Sequence, residues 1–245
     1  MAGVGSFESV ADEYDAARPS YPDEVFDSLG PLEGLRVLDV GAGTGIATRA
    51  LIAREAEVVA VDPGREVLRR AAAHTRGLAA VVADGAVLPV RSNAVDLVCF
   101  AQAWHWLDES SRVSEAHRVL RPGGRWAGWW SHARADGEGW FDRYWGAIER
   151  SCRGTHRRQR DTDWGVTVAT PGRFDLGERI TVPWIREISV EGWMTDQASH
   201  SYVVGLPEGP RAQLLGELRA IVDEQFADGA MAVRYETWLW IATRT

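Results

Sequence analysis

Three glycines at alternate positions stand directly after an apolar run of the chain. The run contains one acid, Asp39, and Gly41, Gly43 and Gly45 follow it. Such a run predicts a buried strand, and the glycines allow the backbone to turn sharply and approach a ligand before the next helix. A second acid, Asp62, ends the next apolar run, where a carboxylate accepts hydrogen bonds from both hydroxyls of a ribose. The spacing therefore predicts a site for an adenosine-containing cofactor.

The residues after the glycines discriminate between three classes of ligand. A nucleoside triphosphate loop needs lysine and then serine or threonine after its last glycine, but Gly45 is followed by Ile46 and Ala47. The dinucleotide fingerprint needs its third glycine where Ile46 stands, so Gly45 comes one residue early. A smaller ligand without a pyrophosphate fits this turn better. The favoured ligand is S-adenosylmethionine.

Several motifs resemble one enzyme family. The matching segments are Val37–Gly45, Val59–Pro63, Ala83–Gly85, the lead-in Tyr14–Pro22, and Ala101–Trp106. Together they resemble class I S-adenosylmethionine-dependent methyltransferases, and more narrowly the type 11 group that includes trans-aconitate and ubiquinone-pathway enzymes. The resemblance covers residues 7–130 and is faint beyond them.

The resemblance implies a role for each matching residue. The turn residues pass along the methionine part of the cofactor with Asp39 near its ammonium group, and Asp62 holds the ribose. Pro63 lies against the adenine, Asp84 accepts from the adenine amino group, and Gly85 gives a backbone contact. The residues at the end of the fourth strand line the sulfonium side. The implied cofactor set is Tyr14, Arg18, Asp39, Gly41, Ala42, Gly43, Asp62, Pro63, Asp84, Gly85, Ala101 and Gln102.

His105 is the candidate catalytic residue. Methyl transfer is an in-line displacement, so the enzyme mainly aligns the nucleophile and excludes water, and a base is needed only if the nucleophile carries a proton. His105 follows the fourth predicted strand, where the methyl group should face its acceptor, and histidine titrates in the right range. The alternative is that His105 only orients Trp104 and Trp106 or packs between them.

Tryptophan is confined to one part of the chain. All twelve tryptophans lie beyond residue 100, which favours a core role and leaves open that some of them wall an apolar cavity. Trp104 and Trp106 are the first candidates for the acceptor pocket. Trp140 and Tyr144 either extend that pocket or form the core of an inserted segment.

Strand and helix patterns alternate from residue 35 to residue 130. This alternation predicts an α/β fold: a Rossmann-like, doubly wound, seven-stranded, mostly parallel sheet with an antiparallel C-terminal strand and an inserted helical cap. Strands are expected at 35–40, 56–61, 78–83, 95–101, 125–130, 179–191 and 231–243, and helices at 22–29, 45–53, 64–74, 109–120, 140–152 and 210–226, with a turn at 121–124.

A single methyltransferase domain is expected over residues 1–245. Residues 1–34 are interpreted as a lid in which Tyr14 and Arg18 close the site, and 35–130 as the cofactor-binding core. Residues 131–178 are interpreted as a substrate cap, and 179–245 as the strand–helix–strand unit that completes the sheet. The basic patch at 153–160 is interpreted as a solvated face, with binding of an anionic substrate as the alternative.

Composition excludes several other functions. A formal net charge of −8 argues against nucleic-acid or anionic-membrane binding, and no apolar run is long enough to span a bilayer. The N-terminus lacks a signal-peptide pattern, and Cys99 and Cys152 are the only cysteines, so a cytoplasmic protein without disulfides or bound metal is expected. We expect a monomer or homodimer.

The sequence therefore predicts S-adenosylmethionine-dependent methyl transfer to a small molecule. The acceptor is expected to be apolar and aromatic, or a small carboxylic acid. The alternatives are an NAD(P)-dependent oxidoreductase and an S-adenosylmethionine-binding protein that transfers no methyl group.

Overall fold

The structure is a computed structural model that describes residues 20–152 and 161–245. In these ranges eight strands form one sheet in the order β3-β2-β1-β4-β5-β8-β6, and β7 also pairs with β8. The strands are β1 (Arg36–Val40), β2 (Glu57–Asp62), β3 (Ala79–Val82), β4 (Val95–Ala101), β5 (Leu120–Ala133), β6 (Phe174–Leu176), β7 (Ile180–Ser189) and β8 (Ala230–Arg244).

Helices connect most of these strands. They are α1 (Asp23–Asp27), α2 (Ile46–Ile52), α3 (Arg65–His74), α4 (Arg112–Val119), α5 (Gly139–Cys152), α6 (Val190–Ser199), α7 (Ser201–Val204) and α8 (Glu208–Gln225). Short 3-10 turns are formed by Trp104–Trp106 and Gly165–Thr167. Among the described helices, none combines the length and the apolar character needed to cross a membrane.

Strands β1 to β5 pair with one another in parallel. Strands β1 and β4 are buried over nearly their whole length, which is why they read as continuous apolar runs. At the edge of the sheet, β3 is exposed along all of its residues. Because the carboxyl ends of parallel strands meet at one edge, the residues that follow β1, β2 and β4 are brought together.

Contacts divide the chain into two compact units. Among the described residues, the first unit comprises 20–131, 163–182 and 237–245, and the second comprises 132–152, 161–162 and 183–236. The first unit has cores around Trp104 and Trp126 and around Phe26 and Trp129, and the second has its own core, which includes Phe141 and Leu218. The expected division at residues 34, 130 and 178 stays a prediction.

The α/β fold class and the mostly parallel sheet are confirmed, with eight strands in the described ranges instead of seven. The antiparallel pairing expected near the C-terminus is present between β6 and β8. Seven of the twelve tryptophans are buried, as a core role requires.

The start of β5 was predicted wrongly. Residues 121–124 were expected to be a turn before a strand at Arg125, but β5 already begins at Leu120. Its register against β4 shifts between the pairs Val95–Leu120 and Leu97–Arg125. Gly123, with φ +74°, permits this local irregularity, so turn-forming residues are accommodated inside a strand.

The region after β7 was also predicted incompletely. The strand expected to reach residue 191 ends at Ser189, whose side chain accepts a hydrogen bond from Gly192 N–H and so caps α6. Helix α6 was missed because β-branched residues lead into it and a glycine lies in its first turn. The prediction also missed β6 and α7, which are too short to produce a recognisable period.

Candidate functional site

The glycine turn between β1 and α2 is built for close backbone approach. All three glycines have positive φ: +74° at Gly41, +55° at Gly43 and +84° at Gly45. A Cβ added at Gly41 would lie 2.4 Å from Cβ of Ala103, whereas one at Gly43 would meet nothing within 4 Å. Gly41 therefore packs against the residues that follow β4, and Gly43 leaves an open side.

Asp62 ties the end of β2 to this turn. Its Oδ2 accepts a hydrogen bond from Gly43 N–H at 2.9 Å, and its Oδ1 accepts one from Gly64 N–H at 2.8 Å. Burial raises the pKa of Asp62 above its ordinary value, while the two N–H groups act in the opposite direction. Each carboxylate oxygen has a second lone-pair site, so the side chain retains the capacity to accept from two hydroxyl groups.

Asp39 lies beneath the turn and is completely buried. Thr48 Oγ1 donates to its Oδ2 at 2.5 Å, which connects β1 to α2. Its Oδ1 has no hydrogen-bond partner among the described residues. Burial is the main reason that the pKa of Asp39 is raised to about 6, with a smaller contribution from the charge of Asp62. This position explains how Asp39 holds α2, and its predicted contact with an ammonium group stays a prediction.

The residues after β3 lie next to the end of β2, because Val82 pairs with Asp62. Asp84 is exposed, and its Oδ1 accepts from Ala86 N–H at 2.9 Å. Gly85 is buried, and a Cβ there would lie 2.9 Å from Leu107 and 3.0 Å from Val40. The pairing of β3 with β2 thus brings the two candidate adenine contacts, Asp84 and Gly85, near Asp62, the candidate acceptor for the ribose hydroxyls.

The end of β4 carries a strained residue. Gln102 has φ +55°, a left-handed conformation that costs about 1 kcal/mol or more for a residue other than glycine. Its N–H donates to Trp129 O at 2.9 Å, and its Nε2 lies 3.4 Å from Tyr21 Oη. Strain of this kind is concentrated at functional sites. Ala101 ends β4, and Gln102 lies on the same loop as Ala103, which packs against Gly41.

His105 lies in the 3-10 turn after this loop. Its Nδ1 is 3.2 Å from Nε1 of Trp130. Burial, together with the positive charge of Arg112, lowers the pKa of His105 to about 4. A base with so low a pKa is weak at neutral pH, which favours a role for His105 as a neutral side chain. Its predicted role as a base stays a prediction.

The two tryptophans beside His105 have different environments. Trp104 is completely buried against Phe100 and Trp126, and its Nε1 donates to Thr167 Oγ1 at 2.8 Å. Trp106 is 53% exposed. The structure therefore places Trp104 in the core, which favours packing over contact with an acceptor, while Trp106 remains accessible. The predicted role of both rings in acceptor binding stays a prediction.

Trp140 and Tyr144 lie in the second unit and are both buried there. Tyr144 Oη donates to Gln197 Oε1 at 2.9 Å, and both rings pack against Trp193. This placement favours the core interpretation over the acceptor pocket, because neither ring has an open face. Their role in acceptor binding stays a prediction.

Two predictions lie outside the described residues. They are the contribution of Tyr14 and Arg18 and the role of the basic patch at 153–160. Within the described ranges, no group of three or more His, Cys, Asp or Glu is arranged to hold a metal ion.

Sequence reasoning missed four contacts of this site. Gly64 was missed although an acid two residues before a glycine is a recognisable turn signal. Tyr21 lies within the lead-in motif but was given no role. Thr48 and Trp130 could not have been found, because only the fold brings them to Asp39 and His105.

Comparisons with known proteins show the family to which the chain is related. A family model described as a methyltransferase domain matches residues 38–127. An uncharacterized methyltransferase of Mycobacterium tuberculosis is 36% identical over 217 residues, which cover 89% of this chain and 85% of that protein. The malonyl-acyl carrier protein O-methyltransferase of Methylococcus capsulatus is 41% identical over 105 residues, which cover 40% of this chain and 38% of that protein.

The fold has solved counterparts. A protein of Anaeromyxobacter dehalogenans, provisionally assigned as a type II methyltransferase, is 24% identical and has a TM-score of 0.63. The match covers 93% of this chain and 97% of that one. At this identity the likeness concerns the fold.

Proposed function

Since the chain belongs to the class I S-adenosylmethionine-dependent methyltransferases of type 11, we propose that its methyl acceptor is a small molecule bound beside the turn that follows β4. When bound, S-adenosylmethionine supplies a methyl group on a sulfonium, whose leaving group is a neutral thioether. The observation that supports the proposal is the juxtaposition of Gly41 with Ala103, because it brings the glycine turn against the segment leading to His105 and Trp106.

The turn residues Gly41, Ala42 and Gly43 are proposed to hold the methionine part of the cofactor. The open side of Gly43 supports this assignment, because a ligand can approach the backbone there. Asp62 is proposed to accept from the ribose hydroxyls with its remaining lone pairs. The negative charge of Asp39 favours a cationic ligand. Its raised pKa indicates that the buried carboxylate is destabilised when no cation lies nearby.

The remaining cofactor residues follow from the strand ends. Pro63 is exposed beside Asp62 and is proposed to lie against the adenine, with Asp84 and Gly85 at its amino group. Ala101 and Gln102 are proposed to line the sulfonium side. Their support is the packing of the neighbouring Ala103 on the glycine turn.

Two features bear on the acceptor. The half-exposed ring of Trp106 offers an apolar, planar surface to a ring or an acyl chain. The relative from Methylococcus capsulatus is named for the methylation of an oxygen of malonyl-acyl carrier protein, which supports an acidic acceptor. The proposed acceptors are therefore aromatic compounds and small carboxylic acids.

Calorimetry tests the cofactor half of the proposal. S-adenosylhomocysteine is expected to bind, and NADH is not, because Ile46 replaces the third glycine of a dinucleotide site. Binding of NADH without S-adenosylhomocysteine would support an oxidoreductase instead.

A labelling screen tests the acceptor half. The protein is incubated with S-adenosylmethionine labelled in the methyl group and a panel of phenols, quinols, small di- and tricarboxylic acids and acyl thioesters that carry a free carboxylate. We expect label in at least one panel member. Binding of S-adenosylhomocysteine with no labelled product from the panel would favour a cofactor-binding protein without methyl transfer to such acceptors.

A further inference from the structure

The hydrogen bond between Trp130 and His105 determines which imidazole nitrogen carries the proton. An indole N–H can only donate, so Nδ1 of His105, at 3.2 Å, must accept. In a neutral imidazole with Nδ1 as acceptor, the proton resides on Nε2. The contact thus selects one tautomer of His105.

Aromatic rings hold this imidazole in place. Its centroid lies 4.7 Å from that of Trp106 and 5.7 Å from that of Trp164. Trp164 in turn stacks on Trp130 with centroids 5.3 Å apart and an interplanar angle of 19°. Trp130 therefore both stacks on Trp164 and donates its Nε1–H to Nδ1 of His105. The hydrogen bond and the neighbouring rings together fix the orientation of the His105 ring.

The surroundings also keep the ring neutral. Burial opposes the charged form, and the guanidinium of Arg112, which lies over the Trp104 ring at 5.0 Å, adds a repulsive charge. A neutral ring in this tautomer has an N–H at Nε2 and no basic lone pair there. It can donate a hydrogen bond from that atom but cannot withdraw a proton with it.

Nε2 is the imidazole nitrogen that Trp130 does not contact. His105 is partly exposed, and its Nε2 makes no hydrogen bond to any residue in the described ranges. His105 lies two residues after Ala103, which packs on Gly41 of the glycine turn. The free N–H therefore belongs to the segment that adjoins the proposed cofactor site.

We propose that His105 is a neutral hydrogen-bond donor to the methyl acceptor through Nε2–H, and that Trp130 is the positioning residue that fixes this tautomer. The proposal rests on the proposed function, since it requires an acceptor beside the turn after β4. The acceptor group that fits is an oxygen that bears no proton, such as one oxygen of a carboxylate. As its lone pair forms the O–C bond, the C–S bond breaks with its electrons on sulfur, and Nε2 keeps its proton.

Nitrogen-15 NMR of histidine-labelled protein tests the positioning role directly. With S-adenosylhomocysteine bound, the wild type is expected to show Nε2–H and to stay neutral above pH 5. Trp130→Phe removes the donor to Nδ1, so a mixture of tautomers is expected. Trp126→Phe is the matched control on the same strand, because its buried Nε1 has no hydrogen-bond partner among the described residues. An Nδ1–H tautomer in the wild type, or an unchanged tautomer in Trp130→Phe, would overturn the proposal.

Turnover with the fastest acceptor from the labelling screen tests the donor role. His105→Phe removes the N–H and is expected to lower kcat/KM on the order of ten- to a hundredfold. His105→Gln keeps an N–H at a similar distance from the backbone and is expected to recover most of that loss. Equal activities of the two variants would contradict a donor.

Calorimetry with S-adenosylhomocysteine separates the two levels of inference. If the wild type does not bind it, the proposed function fails. The other outcome is normal binding in the wild type and in all His105 and Trp130 variants. If the tautomer of His105 or the recovery of activity in His105→Gln then differs from expectation, only the proposed role of His105 fails.

Discussion

The carboxylate of Asp62 accepts the backbone N–H of Gly43 at 2.9 Å. The same side chain accepts from Gly64 at 2.8 Å, so one acid connects the glycine turn to the start of α3. Its carboxylate therefore orders the glycine turn in the absence of a ligand. A ligand bound at this turn, as we propose, would not have to meet the cost of ordering the loop.

Replacing Asp62 with asparagine should weaken binding of S-adenosylhomocysteine. The amide keeps the size of the side chain but loses its charge and turns an N–H group toward one of the two glycine donors. Loss of a charge-assisted hydrogen bond costs about 1.5–3 kcal/mol, which corresponds to roughly ten- to a hundredfold in affinity. Isothermal calorimetry measures the change.

The matched control for Asp62 is Asp175→Asn. Asp175 is an exposed acid on β6, and the same chemical change there should leave affinity within about twofold, because surface substitutions away from a site have small effects. Equal affinity in the Asp62 variant and the control would remove Asp62 from the site.

Alanine at Gly41 and at Gly43 should have separable effects. Both positions have positive φ, so backbone strain should lower the unfolding free energy of both variants by about 1 kcal/mol. Only at Gly41 does the new Cβ clash with Ala103, at 2.4 Å, so Gly41→Ala should lose a further 1–3 kcal/mol, roughly, of unfolding free energy. Urea denaturation compares the two variants.

Two further measurements make the glycine comparison decisive. Ala103→Gly in the Gly41→Ala background removes the Cβ of Ala103 with which the new Cβ clashes, so part of the lost unfolding free energy should be recovered. Gly43→Ala should weaken S-adenosylhomocysteine more than its small loss of stability explains. Full affinity in Gly43→Ala would mean that the open side of the turn is not where the ligand lies.

His105 should make the protein less stable as the pH falls. Its pKa is about 4 in the folded protein and near 6.5 when unfolded, so the folded state binds fewer protons between these values. The unfolding free energy of the wild type relative to His105→Gln should therefore rise from pH 4 to pH 6.5, by at most about 3 kcal/mol. Urea titrations at several pH values test this, and a difference that is independent of pH would contradict it.

Asp39 should have the opposite effect. Its folded pKa of about 6 lies above the ordinary 3.8, so the folded state binds more protons between these values and the wild type loses stability as the pH rises through them. Asp39→Asn should gain up to about 3 kcal/mol of unfolding free energy relative to the wild type between pH 4 and pH 6. The same denaturation series measures it.

Asp96 supplies a control because its pKa is shifted in the direction opposite to that of Asp39. It is also buried, and although burial raises its pKa, hydrogen bonds from Arg36 and the charge of Arg121 lower it overall. Asp96→Asn should therefore lose stability at neutral pH, and the loss should shrink as the pH falls below the ordinary value. Identical pH profiles for the two asparagine variants would refute both assignments.

The parallel half of the sheet could be predicted from the sequence because its signals are local. Buried strands give apolar runs, glycines with positive φ mark the turn, and acids such as Asp62 mark the ends of strands. The partners of these acids were harder to predict. Thr48 reaches Asp39 from the following helix, and Trp130 reaches His105 from a neighbouring strand, so both contacts depend on packing that no local pattern encodes.

Helix α6 resisted prediction for another reason. Gly192 lies in its first turn, so local propensity opposes the helix. The helix is stabilised by tertiary packing, with Val190 and Trp193 in the core of the second unit. Trp140 and Tyr144 share that core, which is why aromatic content alone could not separate a ligand pocket from a well-packed interior.

The left-handed backbone of Gln102 has a consequence for the evolution of this chain. Glycine would adopt φ +55° without strain, so Gln102→Gly would relieve a cost of about 1 kcal/mol at the end of β4. A chain selected for stability alone would carry glycine at this position. Glutamine is therefore expected to persist here only where the contact of its amide with Tyr21 outweighs this strain, so natural variation at this position should report on what the loop must contact.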